Sequence, residues 1–341
     1  MARKAKKVMN VCVVGTGNIS ERHVSGWQQL PYAQLSVACD IDAKVAAAYA
    51  KKHGFQSSCT DYKEALARED VDVVSVCTPA GIHADVAVAA AENGKHVLCE
   101  KPMALTAEDC DRMIEAADKA RVKLQIAHME RFSEQTELLR ELLSSGVIGR
   151  PVMVIKGNAG FNPHPVFHDK FGNGGPVVDG CVHAFDTWRV VFESDPVRVT
   201  GRGFVFGTHR KELKSVKDLA FDTVTAIIEY ASGDTCTLLT TNSLPPAIKR
   251  EQHLRVEEYI GPMGTIIGGV RTGLTLVRTD GSVETFPQDN FQEWFHKEVK
   301  AFAEAVQSNK KVPITGDDGK MAVRVALAIL ESVESGQTVT L

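Results

Sequence analysis

The stretch VVGTGNISERH, Val13 to His23, follows an apolar run, VMNVCVV (8–14), and opens a segment of helical periodicity, ISERHVSGWQQL (19–30). Gly15 permits a tight turn straight off a strand. Gly17 lets the backbone come close to a diphosphate. The helix beyond it offers unpaired N–H groups and the positive end of its dipole. Ser20 stands where the usual G-x-G-x-x-G pattern has its third glycine, and it is small enough for close helix–strand packing. Alone, such a turn is a weak signal, because a flexible loop reads the same way. A strand before it and a helix after it are the context that a dinucleotide turn requires.

Outward from this turn, the alternation continues to residue 127. LSVACD (35–40), VDVVSVCTP (71–79), KHVLCE (95–100) and KLQIAH (123–128) are apolar runs of strand length. Between them lie helical patterns: DAKVAAAYAKKHG, DYKEALARE, ADVAVAAAENG and TAEDCDRMIEAADKAR. Runs without polar alternation are strands buried on both faces, and strand–helix alternation gives a doubly wound parallel sheet. Thr106 and Asp109 have capping-box spacing, and Gly54 and Gly94 sit at helix ends.

Beyond residue 150 the texture changes. PVRVTGRGFVF, DTVTAIIEYA, DTCTLLTTN, HLRVEEYIG, TLVRT and SVETF follow one another, with hairpin turns at ASGD and TDGS. Two helices close the chain, FQEWFHKEVKAFAEAVQSN and DDGKMAVRVALAILESVESG. The expected class is α/β. A Rossmann domain with a doubly wound parallel sheet covers 1–127, and an α+β domain with a mostly antiparallel open sheet covers 128–341.

The bulk properties agree. A chain of 341 residues is too long for one ordinary core. Its 44% hydrophobic and 24% charged content is that of a soluble globular protein. A net charge of −4 offers no basic surface for nucleic acid. MARKAKK at the start is basic but short, a solvated arm. VMNVCVVG is too short to cross a membrane and runs into a turn rather than a cleavage site. The eight cysteines include no C-x-x-C pair, and Cys12, Cys39, Cys77 and Cys99 lie in strand-like runs. Buried inert thiols in a reducing cytoplasm are the expectation.

Asp40 ends the second strand, 23 residues beyond Gly17. A carboxylate there accepts hydrogen bonds from ribose hydroxyls and repels a 2′-phosphate, so NAD is expected over NADP. Asn18 and Ile19 complete the turn around the diphosphate. Pro79 and Pro102 stop the strands VDVVSVCTP and KHVLCE. This places Thr78 and His83 on one loop, and Glu100 and Lys101 of CEKPMA (99–104) on the next, facing the reactive end of the cofactor. Lys101 there would hydrogen-bond a substrate hydroxyl, whereas elsewhere a Glu-Lys pair is a surface ion pair of little consequence.

GNGGPVVDGCVHAFDTWRVVFE (172–193) reads as a glycine-rich loop and then one helix. Asp179, His183 and Asp186 share a polar stripe beside an apolar one. A histidine beside a carboxylate is a base tunable near neutral pH; a helix-surface pair is the plainer alternative. In HMERF (128–132), His128 would touch the nicotinamide side and Arg131 the substrate. FNPHPVFHDKFGNGG (161–175) carries His164, His168 and Lys170, read as a substrate loop. No spacing there supports a metal site, so none is expected.

VVGTGNISERH, CTPAGIHADVAVAAAENGKHVLCEKPMALT (77–106) and GGPVVDGCVHAFD (174–186), in that order, resemble the glucose-fructose oxidoreductase / inositol dehydrogenase / MocA (Gfo/Idh/MocA) family. SSGVIGRPV and GDDGKMAVRVALAILESVESGQTV extend the similarity nearly end to end. The resemblance implies NAD(P)-dependent hydride transfer at a carbon of a sugar, sugar derivative or cyclitol. It implies Lys101, Asp179 and His183 as the catalytic set. His183 would be the acid/base, Lys101 would polarise the reacting oxygen, and Asp179 would orient. It also implies a homodimer or homotetramer built on the C-terminal sheet. Met129-Glu130 departs from the family's pattern after the last Rossmann strand. Two alternatives share the fold: a glycosidase that cycles a retained NAD, and a non-catalytic sugar or dinucleotide sensor, which would be expected to lose the lysine or the histidine.

Overall fold

The computed structural model describes residues 8–248 and 253–341. The basic stretch 1–7, read above as a solvated arm, lies outside them. The chain divides into two units. The first runs through Phe132 and resumes over Gln292–Lys320; the second comprises Ser133–Phe291 and Met321–Leu341.

The first unit alternates β1 (Met9–Val14), α1 (Ser20–Gln28), β2 (Ala33–Cys39), α2 (Ala43–His53), β3 (Ser57–Cys59), α3 (Tyr62–Leu66), β4 (Val73–Val76), α4 (His83–Glu92), β5 (His96–Glu100), α5 (Ala107–Ala120) and β6 (Leu124–Ala127). The strands form one parallel sheet in the order β3-β2-β1-β4-β5-β6. The order reverses between β1 and β4, where an open α/β sheet presents its ligand crevice beyond the carboxyl ends. Caps start the helices as read. The Asp42 carboxylate accepts the N–H groups of Lys44 and Val45, and the Thr106 hydroxyl accepts that of Asp109.

The first unit is not continuous in sequence. Its chain returns as α9 (Phe291–Ser308). On this helix Val299, Phe302 and Ala303 join Val11, Val13, Trp27, Leu98 and Ala127 in one buried cluster. The Trp27 ring meets Phe302 edge-on at 6.2 Å, and its Nε1–H donates to Ser75 Oγ at 2.9 Å. The periodicity of 291–309 shows that the helix has a buried face but not which sheet covers it. Sequence order alone therefore groups this late helix with the later strands.

The second unit holds α6 (Glu134–Ser144), β7 (Met153–Ala159), α7 (Gly175–Asp179), α8 (Val182–Phe192), β8 (Pro196–Phe204), β9 (Thr223–Tyr230), β10 (Thr235–Thr241), β11 (Arg255–Gly261), β12 (Gly264–Gly269), β13 (Gly273–Arg278), β14 (Val283–Phe286), most of α10 (Gly316–Ser335) and β15 (Val339–Thr340). Nine strands form one sheet, β14-β13-β12-β11-β7-β10-β9-β8-β15. Every pairing is antiparallel except β7 with β10. The registers align Ile228, Cys236, Val154, Tyr259, Ile266 and Leu276 in one fully buried row. Helices cover that face. Phe192 of α8 packs edge-on against Tyr230 at 5.0 Å, and Gly201 of β8 lies under Ile329 of α10.

The single helix expected over the Asp179–His183 segment is two. α7 closes at Asp179 and α8 opens at Val182. Gly180 and Cys181 between them keep right-handed helical dihedrals (φ −93°, ψ −43° and φ −83°, ψ −14°). Among the described residues no helix is long and apolar enough to cross a membrane.

Candidate functional site

The carboxyl edge of the parallel sheet collects most of the residues singled out in the sequence. β1 leaves through Gly15 at φ +86°, and a Cβ there would lie 2.6 Å from the carbonyl oxygen of Cys77. Only glycine lets the turn pass so close over the end of β4. Around Gly17 a Cβ would meet nothing within 4 Å, so that side of the turn is open. Asn18 is exposed and Ile19 half-buried. Ile19 provides no side-chain cap for α1, which leaves the first-turn N–H groups without a side-chain acceptor. An open turn ahead of an uncapped helix N-terminus fits a diphosphate. The Ser20 hydroxyl bonds the Gly17 carbonyl at 2.6 Å and the Tyr49 hydroxyl at 2.7 Å, bracing the turn from behind.

At the end of β2, Asp40 Oδ2 accepts the N–H (3.1 Å) and hydroxyl (2.7 Å) of Thr16, and Oδ1 accepts the N–H of Asp42 (3.1 Å). Partial burial works to raise its pKa, but these bonds outweigh it and hold the carboxyl below the usual range. Asp40 is therefore ionised and oriented, as an acceptor for ribose hydroxyls must be. At the end of β4, Thr78 Oγ1 is buried with no protein partner, a polar atom waiting for one. Pro79 follows and turns the chain into α4.

Two residues expected to face the cofactor point inward instead. His83 is 1% exposed, its Nδ1 lies 2.8 Å from the Pro102 carbonyl and its Nε2 2.8 Å from the Thr78 carbonyl. It clamps the loop after β4 to the loop after β5, and burial lowers its pKa. Glu100 is 5% exposed. Its Oε1 accepts from His23 Nε2 at 2.9 Å and its Oε2 accepts the Lys101 backbone N–H at 3.1 Å. The glutamate thus anchors from within the segment that carries Lys101 on the half-buried surface. Sequence reasoning missed His23. It lies inside the very turn motif quoted first, but only the fold shows that its ring meets the end of β5.

Burial alone would depress the protonation of His23, yet its pKa is raised, by Cys77 and by Glu100. Burial also raises the Cys77 thiol, keeping it neutral, so Glu100 carries the charge that holds the imidazolium. Glu100 is lowered in turn: burial works against this, and His23, then Lys101, overcome it.

His128 and Arg131 follow β6. His128 is 1% exposed, and Arg131 Nη2 lies 3.2 Å from Asp318 Oδ1. Burial would raise the Asp318 carboxyl, but Arg131 and Thr315 pull it down to about 2. Arg131 therefore ties the end of β6 to the first turn of α10, a structural engagement that its expected role in substrate contact did not include.

In the second unit, Asn173 Nδ2 donates to Asp179 Oδ1 at 3.0 Å, and His183 lies in the first turn of α8, 7% exposed. Asp186, one turn further, is 2% exposed. In the preceding loop His164 is exposed. His168 is wholly buried; its Nε2 donates to the Asn162 carbonyl at 2.9 Å, and Arg210 donates to that same carbonyl at 2.6 Å. His168 is an anchor of the loop rather than part of its outer surface. Among the described residues no cluster of His, Cys, Asp and Glu could hold a metal ion.

Residues 9–128 match the oxidoreductase family, NAD-binding Rossmann fold, and residues 140–341 match its C-terminal alpha/beta domain. The chain belongs to the Gfo/Idh/MocA oxidoreductase family. A myo-inositol 2-dehydrogenase of Thermotoga maritima is 27% identical over 98% of this chain and 98% of its own length. A D-glucoside 3-dehydrogenase of Escherichia coli is 28% identical over 98% and 97%. Levoglucosan dehydrogenase, solved with NADH and levoglucosan, superposes with a TM-score of 0.86 over 97% of this chain and 99% of that one; at 23% identity this is a likeness of fold. The resemblance read from the motifs is thus the family itself, and this member is an NAD-binding oxidoreductase.

The buried pair gives this family member a pH signature. The unfolded-state values are near 4.5 for Glu100 and 6.5 for His23, and folding moves them apart. The lowered Glu100 stabilises above the first value, and the raised His23 stabilises below the second. The stability difference between wild type and Glu100→Gln, from urea unfolding, is therefore largest between about pH 4.5 and 6.5. It shrinks as pH rises toward the folded histidine's value and as it falls through the folded glutamate's. A difference that stays flat across pH would show that the pair is uncharged.

Proposed function

We propose that this oxidoreductase is an NAD-dependent dehydrogenase that interconverts a secondary alcohol and a ketone on a sugar, sugar derivative or cyclitol. The observation that carries the cofactor choice is Asp40, an ionised carboxylate set beside the glycine turn. Sugar and cyclitol dehydrogenases among the full-length relatives support the substrate class. Gly15, Gly17, Asn18 and Ile19 would hold the diphosphate, Asp40 the ribose, and Thr78 and Pro79 the segment leading to the nicotinamide. NAD, when bound, supplies the acceptor for a hydride.

The chain's own residues handle the proton. An alcohol gives up its hydroxyl proton reluctantly in water, so a base must take it as the carbon is oxidised. His183 is that base, and Asp179 orients the substrate or Lys101. The Lys101 ammonium hydrogen-bonds the reacting oxygen and favours the charge that develops there. Exposed His164 is a candidate for substrate recognition. A cytoplasmic location suits eight cysteines that all stand as free thiols. With a panel of polyols and NAD, Lys101→Ala and His183→Ala each lower kcat by about 10²–10⁴. Unchanged turnover in either variant would remove that residue from the mechanism.

We also propose that the protein assembles through the outer face of the nine-stranded sheet. The row beside the buried one runs Ile227, Thr237, Ile155, Glu258, Ile267, and the three isoleucines are 49%, 39% and 48% exposed. Met153 and Ile260, cross-strand partners, extend the patch. Contiguous exposed apolar area of this kind marks an interface. By light scattering the wild type is a dimer or tetramer, and Ile155→Asp with Ile227→Asp dissociates it. A monomeric wild type would contradict this.

A further inference from the structure

One buried acid takes no part in the site described above. Glu298 lies on α9, one helical turn after Trp294 and one before Phe302, and all three are 0% exposed. A polar side chain interrupts an apolar stripe in the core of the first unit. Neither of its carboxyl oxygens has a hydrogen-bond partner.

The sheet register shows what surrounds it. Residues two apart on a strand share a face, and paired residues of parallel strands point the same way. Leu98 pairs with Gln125 and Glu100 with Ala127, so Glu100 and Gln125 project from the face that α9 covers. Cys77 and, from α1, His23 reach the same region, at the carboxyl end of the sheet. Gln125 Nε2 donates to the Glu298 backbone carbonyl at 3.5 Å. Gln125 Oε1 and His23 Nδ1 are buried and, like the Glu298 carboxyl, have no nitrogen or oxygen partner; the neutral Cys77 thiol is a weak neighbour of the His23 ring.

Those orphan atoms match one another. A carboxylate only accepts, and with no cation of its own its burial is strongly unfavourable. The charge on Glu100 makes ionisation harder still; burial first and Glu100 second push the Glu298 carboxyl well above the usual range. An un-ionised acid has one O–H to give and one carbonyl to accept. Gln125 Oε1 needs a donor, and His23 Nδ1–H needs an acceptor. An internal water taking the Glu298 proton, giving one to Gln125 Oε1 and accepting from His23 Nδ1 would have the two to four partners a buried water needs.

We propose that Glu298 is a positioning residue of the cofactor-binding edge: its un-ionised carboxyl, joined to Gln125 and His23 through an internal water, fixes the Glu100–His23 pair from beneath and so sets the backbone at Lys101. A leucine of similar size would fill the space but would leave Gln125 Oε1 and His23 Nδ1 unsatisfied. The glutamine isostere would keep both the shape and the hydrogen bonds. The role rests on the reading of this edge as the NAD site.

Infrared difference spectra of the apo-protein, wild type against Glu298→Gln, test the protonation state without the cofactor. The carbonyl stretch of a buried protonated acid is expected in wild type at neutral pH and absent from the variant. NADH titration by fluorescence tests the role. Glu298→Gln binds like wild type, whereas Glu298→Leu and, from the sheet side, Gln125→Leu unfold at a lower temperature, the cost of an unsatisfied buried group, and, at a temperature where circular dichroism shows both folded, bind about tenfold more weakly because the backbone at Lys101 is no longer fixed. Absence of the acid band in wild type overturns the proposal, as does wild-type affinity in both leucine variants. A wild type that carries the band but binds no NADH overturns the cofactor reading, and the positioning role falls with it.

Discussion

The first unit depends on a close approach. At Gly15 the chain leaving β1 passes so near the end of β4 that no side chain fits, because a Cβ would stand 2.6 Å from the Cys77 carbonyl oxygen. β1 and β4 are neighbours across the reversal of strand order. The turn therefore opens where the sheet divides, and the ends of β2, β4 and β5 fall along the same edge. Asp40, Thr78 and Lys101 come from separate segments and need no common sequence motif to share this edge; the parallel strand direction alone puts them there.

Beneath that edge the chemistry is one of buried charge. Taking Glu100 and His23 out of water is unfavourable for each alone and tolerable only for the pair. Their reward is positional: Glu100 also accepts the N–H of Lys101, so the residue in the core and the residue on the surface are tied through a single backbone bond. Glu298 is the same problem solved the other way. With no cation left for it, it stays in the core only by keeping its proton. Two carboxyls in one apolar region, one ionised and one neutral, follow from who stands next to each.

Much of this was legible in the sequence. Strand and helix alternation in 8–128 is strong because parallel strands buried on both faces leave uninterrupted apolar runs. The G-x-G turn and the acid ending β2 declare themselves by spacing. What sequence could not supply is orientation and long-range partnership. His83, Glu100 and His168 are polar residues in loops or at strand ends, where exposure is the ordinary expectation; each instead satisfies buried backbone groups or a buried partner. The 291–309 helix shows its apolar stripe plainly, but the stripe carries no address, and it belongs to the sheet whose first strand lies nearly 300 residues earlier. β12, GTIIGG, shows no strand pattern in the sequence, because glycine is poor in strands and hides the alternation of Ile266 and Ile267.

The central claim is that the carboxyl edge around Gly15 and Asp40 is built for NAD. The most direct measurement is a pair of fluorescence titrations of the purified wild type, with NADH and with NADPH, under identical salt and pH. The account predicts distinctly tighter binding of NADH, because the Asp40 carboxylate, already ionised and held by Thr16 and Asp42, accepts ribose hydroxyls and repels a 2′-phosphate. Equal or tighter binding of NADPH would contradict it.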